Sequence, residues 1–195
     1  MSLVNKWTNL KKNDECYTPY QWVKYLIRKF EQDNLINKSM TIWCPFDVKE
    51  SFFVQVLLEN GYKVVYSHIN DGRDFYEYEP EEYDVIISNP PFYNKANLLK
   101  RIKELRNGDQ TKWFLLMGNH YANTGSFNEL FCSFAKPQIL HFKQRMRFVK
   151  AFDKDLFFEK ENKYPAFATL GLANNFFNKD VCFYKGVNTK GIELD

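Results

Sequence analysis

Histidine and cysteine are scarce in this chain, and the few present are scattered. Three histidines (His68, His120, His141) and four cysteines (Cys16, Cys44, Cys132, Cys182) form no Cys-x-x-Cys pair and no grouping at metal-ligand spacing, so no metal site is expected. Without a signal peptide or a long apolar run, the cysteines read as reduced thiols of a cytoplasmic protein with no membrane partner. Neither sign of charge dominates. Lys and Arg number 27 against 24 Asp and Glu, and the net +3 permits a nucleic-acid partner without arguing for one. There is no internal repeat, low-complexity tract or linker, and 195 residues are too few for two comfortable domains, so one domain is expected.

Aromatic residues, by contrast, are abundant. With 19 Phe and 12 Tyr, most rings must be core, and a surplus remains for stacking platforms near a site. Residues 1–16 are polar and basic (Lys6, Lys11, Lys12) and read as an N-terminal arm, with residues 17–195 as the folded unit. Thr18-Pro19 is placed as helix cap and first turn for an amphipathic helix through Trp22, Leu26 and Phe30. Strands are expected at 40–44, 62–67, 85–88, 113–117, 139–142, 165–171 and 181–184. Helices are expected at 52–58, about 95–106 and around 127–135. Such alternation predicts an α/β class with a mostly parallel seven-stranded sheet flanked by helices.

Within that series, the stretch Asp84-Val85-Ile86-Ile87-Ser88-Asn89-Pro90-Pro91-Phe92 stands apart. A short β-branched strand runs into two prolines, neither of which can donate to a sheet ladder, and an aromatic follows. Two prolines can simply end a strand. They can also make a rigid corner at the carboxyl end of a parallel strand, where open α/β sheets place ligands.

A strand ending in Asn89-Pro90-Pro91-Phe92 inside a βαβ series resembles the S-adenosylmethionine-dependent methyltransferases that modify amino nitrogens. The likeness is greatest to the adenine-N6 DNA methyltransferases, over roughly residues 17–175. The resemblance implies a Rossmann-like class I methyltransferase fold, S-adenosylmethionine as cofactor and DNA as partner. RNA adenine and protein glutamine are the rival substrates. Chemistry accounts for the residue types. An exocyclic amino group has its lone pair delocalised into the ring. Two acceptors on its two N–H bonds draw the nitrogen toward tetrahedral geometry and localise that pair. Asn89 offers a side-chain oxygen, Pro90 a backbone carbonyl held by fixed φ, and Phe92 a face on which the base stacks.

The resemblance also implies cofactor contacts. Tyr17-Thr18-Pro19 would meet its methionine end, with a plain helix cap as the alternative. Pro45-Phe46-Asp47 follows the first strand, Ser67-His68 the second, and Asp74-Phe75 would meet the adenine. In the loop after the first strand the family carries Phe-x-Gly-x-Gly. This chain has Phe46-Asp47-Val48-Lys49-Glu50-Ser51 and no glycine. A methyltransferase fold used only to bind nucleic acid or a partner is therefore the competing reading. Arg145, Arg147 and Phe148 are candidates for holding the target strand, against a surface strand with solvated arginines. No separate target-recognition domain is expected, so specificity would fall to the loops of 143–165, to a partner subunit or to a second copy.

Overall fold

The computed structural model describes residues 16–91, 95–119, 125–150, 168–188 and 190–194. The helices are α1 (Tyr20–Gln32), α2 (Phe52–Glu59), α3 (Lys95–Glu104) and α4 (Gly125–Cys132). The strands are β1 (Thr41–Pro45), β2 (Lys63–Ser67), β3 (Val85–Ser88), β4 (Trp113–Gly118), β5 (Pro137–Phe142), β6 (Thr169–Asn174) and β7 (Val181–Tyr184). They form one seven-stranded sheet in the order β2-β1-β3-β4-β6-β5-β7. Only β6 runs against its neighbours, antiparallel to both β4 and β5. The other pairings are parallel.

The period of two along each strand sorts side chains onto opposite faces of the sheet. Ile42 and Cys44 of β1, Val85 and Ile87 of β3, and Phe114 and Leu116 of β4 pack with the apolar faces of α1 and α2. The intervening Trp43, Ile86, Trp113, Leu115 and Met117 pack with Leu98 and Ile102 of α3 and Phe127 and Phe131 of α4. Strands buried on both faces are the reason these runs are apolar throughout rather than alternating. The result is three layers, helix–sheet–helix.

Strand order fixes where a site can form. The chain moves outward from β1 to β2, then crosses back to lay β3 on the other side of β1. The carboxyl ends of β1 and β3 therefore flank a topological switch point, a crevice that neither connection covers. Pro45 ends one strand and Ser88 the other.

Two expectations shift locally. Pro19, not Thr18, takes the cap position of α1: its ψ of 144° is extended, and its carbonyl accepts from Trp22 and Val23 N–H. The expected strand at 165–171 is β6, Thr169–Asn174; its first three positions lie outside the described residues. Between β2 and β3 there is no further strand. Residues 68–84 instead make a 3₁₀ turn at Ile69–Asp71 and an irregular loop. Arg101 and Arg106 hold that loop by donating to the carbonyls of Phe75, Tyr78, Pro80 and Glu81. Among the described residues, no helix is long and apolar enough to cross a membrane.

Candidate active site

A cleft of about 150 Å³ opens beside the switch point. Phe46, Ser67, His68, Asp74, Phe75, Pro90 and Pro91 line it, together with Ile69, Arg73, Tyr76 and Leu98. Residues separated by up to 45 positions in sequence, all singled out as candidates, thus share one wall-lined space. Ile69, Arg73, Tyr76 and Leu98 carry no sequence signal of their own. They arrive because the irregular loop and α3 close the cleft.

The loop after β1 turns sharply at Phe46, whose φ of 69° lies in the left-handed region. A non-glycine residue held there costs about 1–3 kcal/mol. The turn that glycine would supply is thus made without glycine. Part of the compensation is visible in the ring itself, which packs on Phe75 at 4.7 Å between centroids.

Asp47 is turned inward and buried. Its Oδ1 accepts from Ser51 Oγ, and its Oδ2 lies 2.6 Å from Ser88 Oγ. Ser51 occupies the cap position of α2, yet its hydroxyl serves Asp47 rather than the helix. Ser88 Oγ also reaches the carbonyl of Pro45. A hydroxyl has one proton, and a carbonyl can only accept. When Ser88 donates to Pro45, the proton between Ser88 and Asp47 must come from the Asp47 carboxyl. Burial points the same way, pushing that carboxyl up from the ordinary 3.8 to about 6. The trio Pro45–Ser88–Asp47 stitches the ends of β1 and β3 together.

Asn89 is fixed from behind. Its Nδ2 donates to the Cys16 carbonyl at 2.8 Å. Because a carbonyl only accepts, the amide must face it with nitrogen, which turns Oδ1 the other way. Oδ1 is buried and has no hydrogen-bond partner among the described residues. Thr18 Oγ1, two residues from Cys16, is in the same condition. Tyr17 pairs with Val149 through reciprocal backbone hydrogen bonds of 3.0 and 2.9 Å, which ties the Cys16–Pro19 segment to the chain after β5.

Other candidates have structural employment. Ser67 Oγ accepts from Trp43 Nε1 at 3.0 Å. His68 Nδ1 caps the 3₁₀ turn by accepting from Asn70 N–H. Asp74 Oδ1 accepts from Tyr76 N–H at 3.0 Å. Arg145 and Arg147 are exposed on either side of buried Met146. Phe148, expected with them at the target strand, is fully buried in the α1–α2 core. Phe92 lies outside the described residues, as does the arm at 1–15. Sequence reading passed over Lys95, a buried lysine whose Nζ donates to the carbonyls of Pro90, at 3.2 Å, and Pro91. Among the described residues, no three His, Cys, Asp or Glu side chains converge to hold a metal.

No protein-family model matches the chain, and no curated protein sequence does. Solved structures match its fold. One is a methyltransferase subunit of a type I restriction-modification system from Streptococcus thermophilus, at 12% identity and TM-score 0.53, covering 88% of this chain and 47% of that one. Another is a modification subunit of a putative type I restriction enzyme from Vibrio vulnificus YJ016, at 14% identity and TM-score 0.47, covering 98% and 51%. A third is a putative class I S-adenosylmethionine-dependent methyltransferase from Listeria monocytogenes, at 11% identity and TM-score 0.49, covering 95% and 70%. The chain spans about half the length of the two restriction-system subunits. What the chain shares with the Streptococcus thermophilus subunit is its fold, here a mostly parallel seven-stranded sheet between helical layers. At such identities the likeness is one of architecture, and function has to be argued from the site.

Proposed function

We propose that the chain is an S-adenosylmethionine-dependent methyltransferase acting on an exocyclic amino nitrogen, the N6 of adenine in DNA. The observation that carries this reading is the orientation of Asn89. Its amide is pinned by the Cys16 carbonyl so that Oδ1 is presented as a buried acceptor with no protein partner among the described residues. A buried acceptor without a partner costs about 1–3 kcal/mol, a cost that an incoming N–H donor removes.

The residues fit the cofactor by their chemistry. Phe46 and Phe75 supply apolar ring faces for a purine, and Asp74 an acidic group beside them. Asp47, once ionised, favours a cationic sulfonium ligand. Bound there, the cofactor supplies an electrophilic methyl group. Asn89 Oδ1 and the Pro90 carbonyl orient the target nitrogen, and the prolines hold that carbonyl without reorganisation. A duplex adenine must leave its stack to reach the corner, at a cost of a few kcal/mol. Arg145 and Arg147 are the exposed cations assigned to phosphate contact. The likeness to restriction-system subunits favours DNA over RNA or protein, and a partner subunit as the source of sequence specificity.

One observation favours the second reading, a binding module that does no chemistry. The cleft is smaller than the roughly 300–1,000 Å³ usual for cofactor-sized ligands, with the Phe46 and Phe75 rings in contact across it. Cofactor entry then requires these walls to part. Calorimetry with S-adenosylmethionine separates the readings: no affinity at millimolar concentration ends the enzyme reading. Transfer of tritiated methyl groups to DNA, RNA and protein pools then identifies the substrate. Asn89→Ala is expected to lower transfer by about 10²–10³-fold while cofactor affinity stays within a few-fold of wild type. Loss of both together would mean that Asn89 serves the cofactor instead.

A further inference from the structure

Lys95 is the first residue of α3 and is 3% exposed. A methionine would fill the same space with no charged group to desolvate, so a buried amine at this place calls for a reason. Its Nζ donates to the Pro90 and Pro91 carbonyls, the first of which is the acceptor that the methyl-transfer reading gives to the target amino group. A neutral amine has one lone pair with which to take a proton. Two influences favour that neutral form. Burial holds the lysine well below its ordinary range, and the amino end of a helix disfavours a cation. Charged groups around the corner are Asp47, buried behind Ser88, and Asp74 and Arg73, which line the cleft beside the prolines. Burial is the cause of the Lys95 shift.

The two groups that this reading places on the target nitrogen, Asn89 Oδ1 and the Pro90 carbonyl, are an amide and a peptide oxygen. Amide and peptide oxygens accept hydrogen bonds but are too weakly basic to keep a proton near neutral pH. Two donors on the two lone pairs of one carbonyl oxygen stand roughly 4–5 Å apart, the span of a single bridging water.

We propose that Lys95 takes the proton that the target nitrogen must lose, an assignment that rests on the methyl-transfer reading. The nitrogen lone pair forms the new N–C bond, and the old C–S bond leaves with its electron pair on sulfur. The nitrogen then carries a positive charge and two N–H bonds. One of those protons passes to the Lys95 Nζ lone pair, directly or across one water, leaving a neutral methylamino product. The resulting ammonium stays on the Pro90 and Pro91 carbonyls until product leaves and solvent removes the proton.

The test combines an NMR titration of the Lys95 Cε resonance in the wild-type protein with single-turnover methyl transfer by Lys95→Met and Lys95→Arg. The expected result is a Lys95 midpoint well below that of an ordinary lysine, with an acid limb in the transfer rate at the same pH. Lys95→Met is expected to slow transfer by about 10²-fold at unchanged S-adenosylmethionine affinity. Lys95→Arg, which keeps charge and donors but cannot act as a base, should not restore the rate. Full activity in Lys95→Arg, or a lysine that titrates in its ordinary range, overturns the proposal while leaving the methyl-transfer reading intact. A wild-type chain that binds no S-adenosylmethionine and methylates nothing overturns both. The titration stands even if Lys95→Met fails to fold.

Discussion

Replacing Asp47 by asparagine should stabilise this protein at pH 8, although it removes a buried polar network's only acid. The carboxyl sits between Ser51 and Ser88, out of water, and burial raises it from 3.8 to about 6. An acid raised on folding binds its proton more tightly in the folded chain than in the unfolded one. Stability from this group is therefore full below pH 3.8, falls between 3.8 and about 6, and stays low above that window. A rise of about two units corresponds to roughly 3 kcal/mol between the two plateaus. Asparagine keeps the shape, accepts from Ser51 with its oxygen and donates to Ser88 with its nitrogen, and does not titrate. Urea unfolding of wild type and Asp47→Asn at matched pH cancels the other carboxylates. The two should agree within about 1 kcal/mol near pH 4, and the variant should lead by up to about 3 kcal/mol at pH 8, roughly 6–12 °C in Tm for a chain of this size. Cofactor affinity should move the opposite way, weakening in the variant at pH 8 and in wild type below pH 6. Parallel stability curves for the two proteins, or a less stable variant at pH 8, would refute the assignment of Asp47 as a buried acid held at strain.

Two further substitutions probe the packing that shapes the cleft. Phe46→Gly relieves the left-handed turn but removes the ring packed on Phe75. Its net stability change should stay within about 1.5 kcal/mol by denaturant unfolding, while S-adenosylmethionine binds more weakly by calorimetry; unchanged or tighter binding would show that the ring is not a ligand contact. Gly171→Ala puts a methyl group against the Phe114 ring, 2.9 Å from its Cζ and 3.0 Å from Leu140 Cβ. It should destabilise by about 1–3 kcal/mol, and an unchanged midpoint would mean that the middle of the sheet is looser than its burial implies.

What could be read from the residues alone is what depends on local pattern. The runs at Ile42–Cys44, Val85–Ile87 and Phe114–Met117 declare strands because both faces are buried, and prolines at 45, 90 and 91 declare where two of them stop. Phe46, Asp74 and Phe75 were legible as cleft residues because loop positions after parallel strands converge by topology. The partners were not legible. Lys95 and Arg101 look like ordinary charges on a helix, since the groups they bind are backbone carbonyls, which every sequence has everywhere. Lys103 donates to the Ser133 carbonyl rather than standing in solvent, for the same reason. Ser67 and Asp47 were read as facing a ligand because polar residues follow their strands. Trp43 and Ser88, 24 and 41 positions away in sequence, also hydrogen-bond to them. Phe148 was a candidate, with Arg145 and Arg147, for holding the target strand, and only its packing against the α1–α2 layer shows it to be core.

The position of β6 has a consequence for how the chain is made. It is the sixth strand in sequence, yet it lies between β4 and β5 and bonds to both. Until residues 169–174 leave the ribosome, β4 and β5 each present an open, apolar edge, and the β2-β1-β3-β4 half of the sheet has no link to the β5 strand. The sheet cannot close at its middle until β6 is made, although β5 precedes it in sequence. The emerging protein is therefore most exposed to wrong strand pairing between the synthesis of β4 and that of β6, which makes it a natural client for chaperones that shield bare edges.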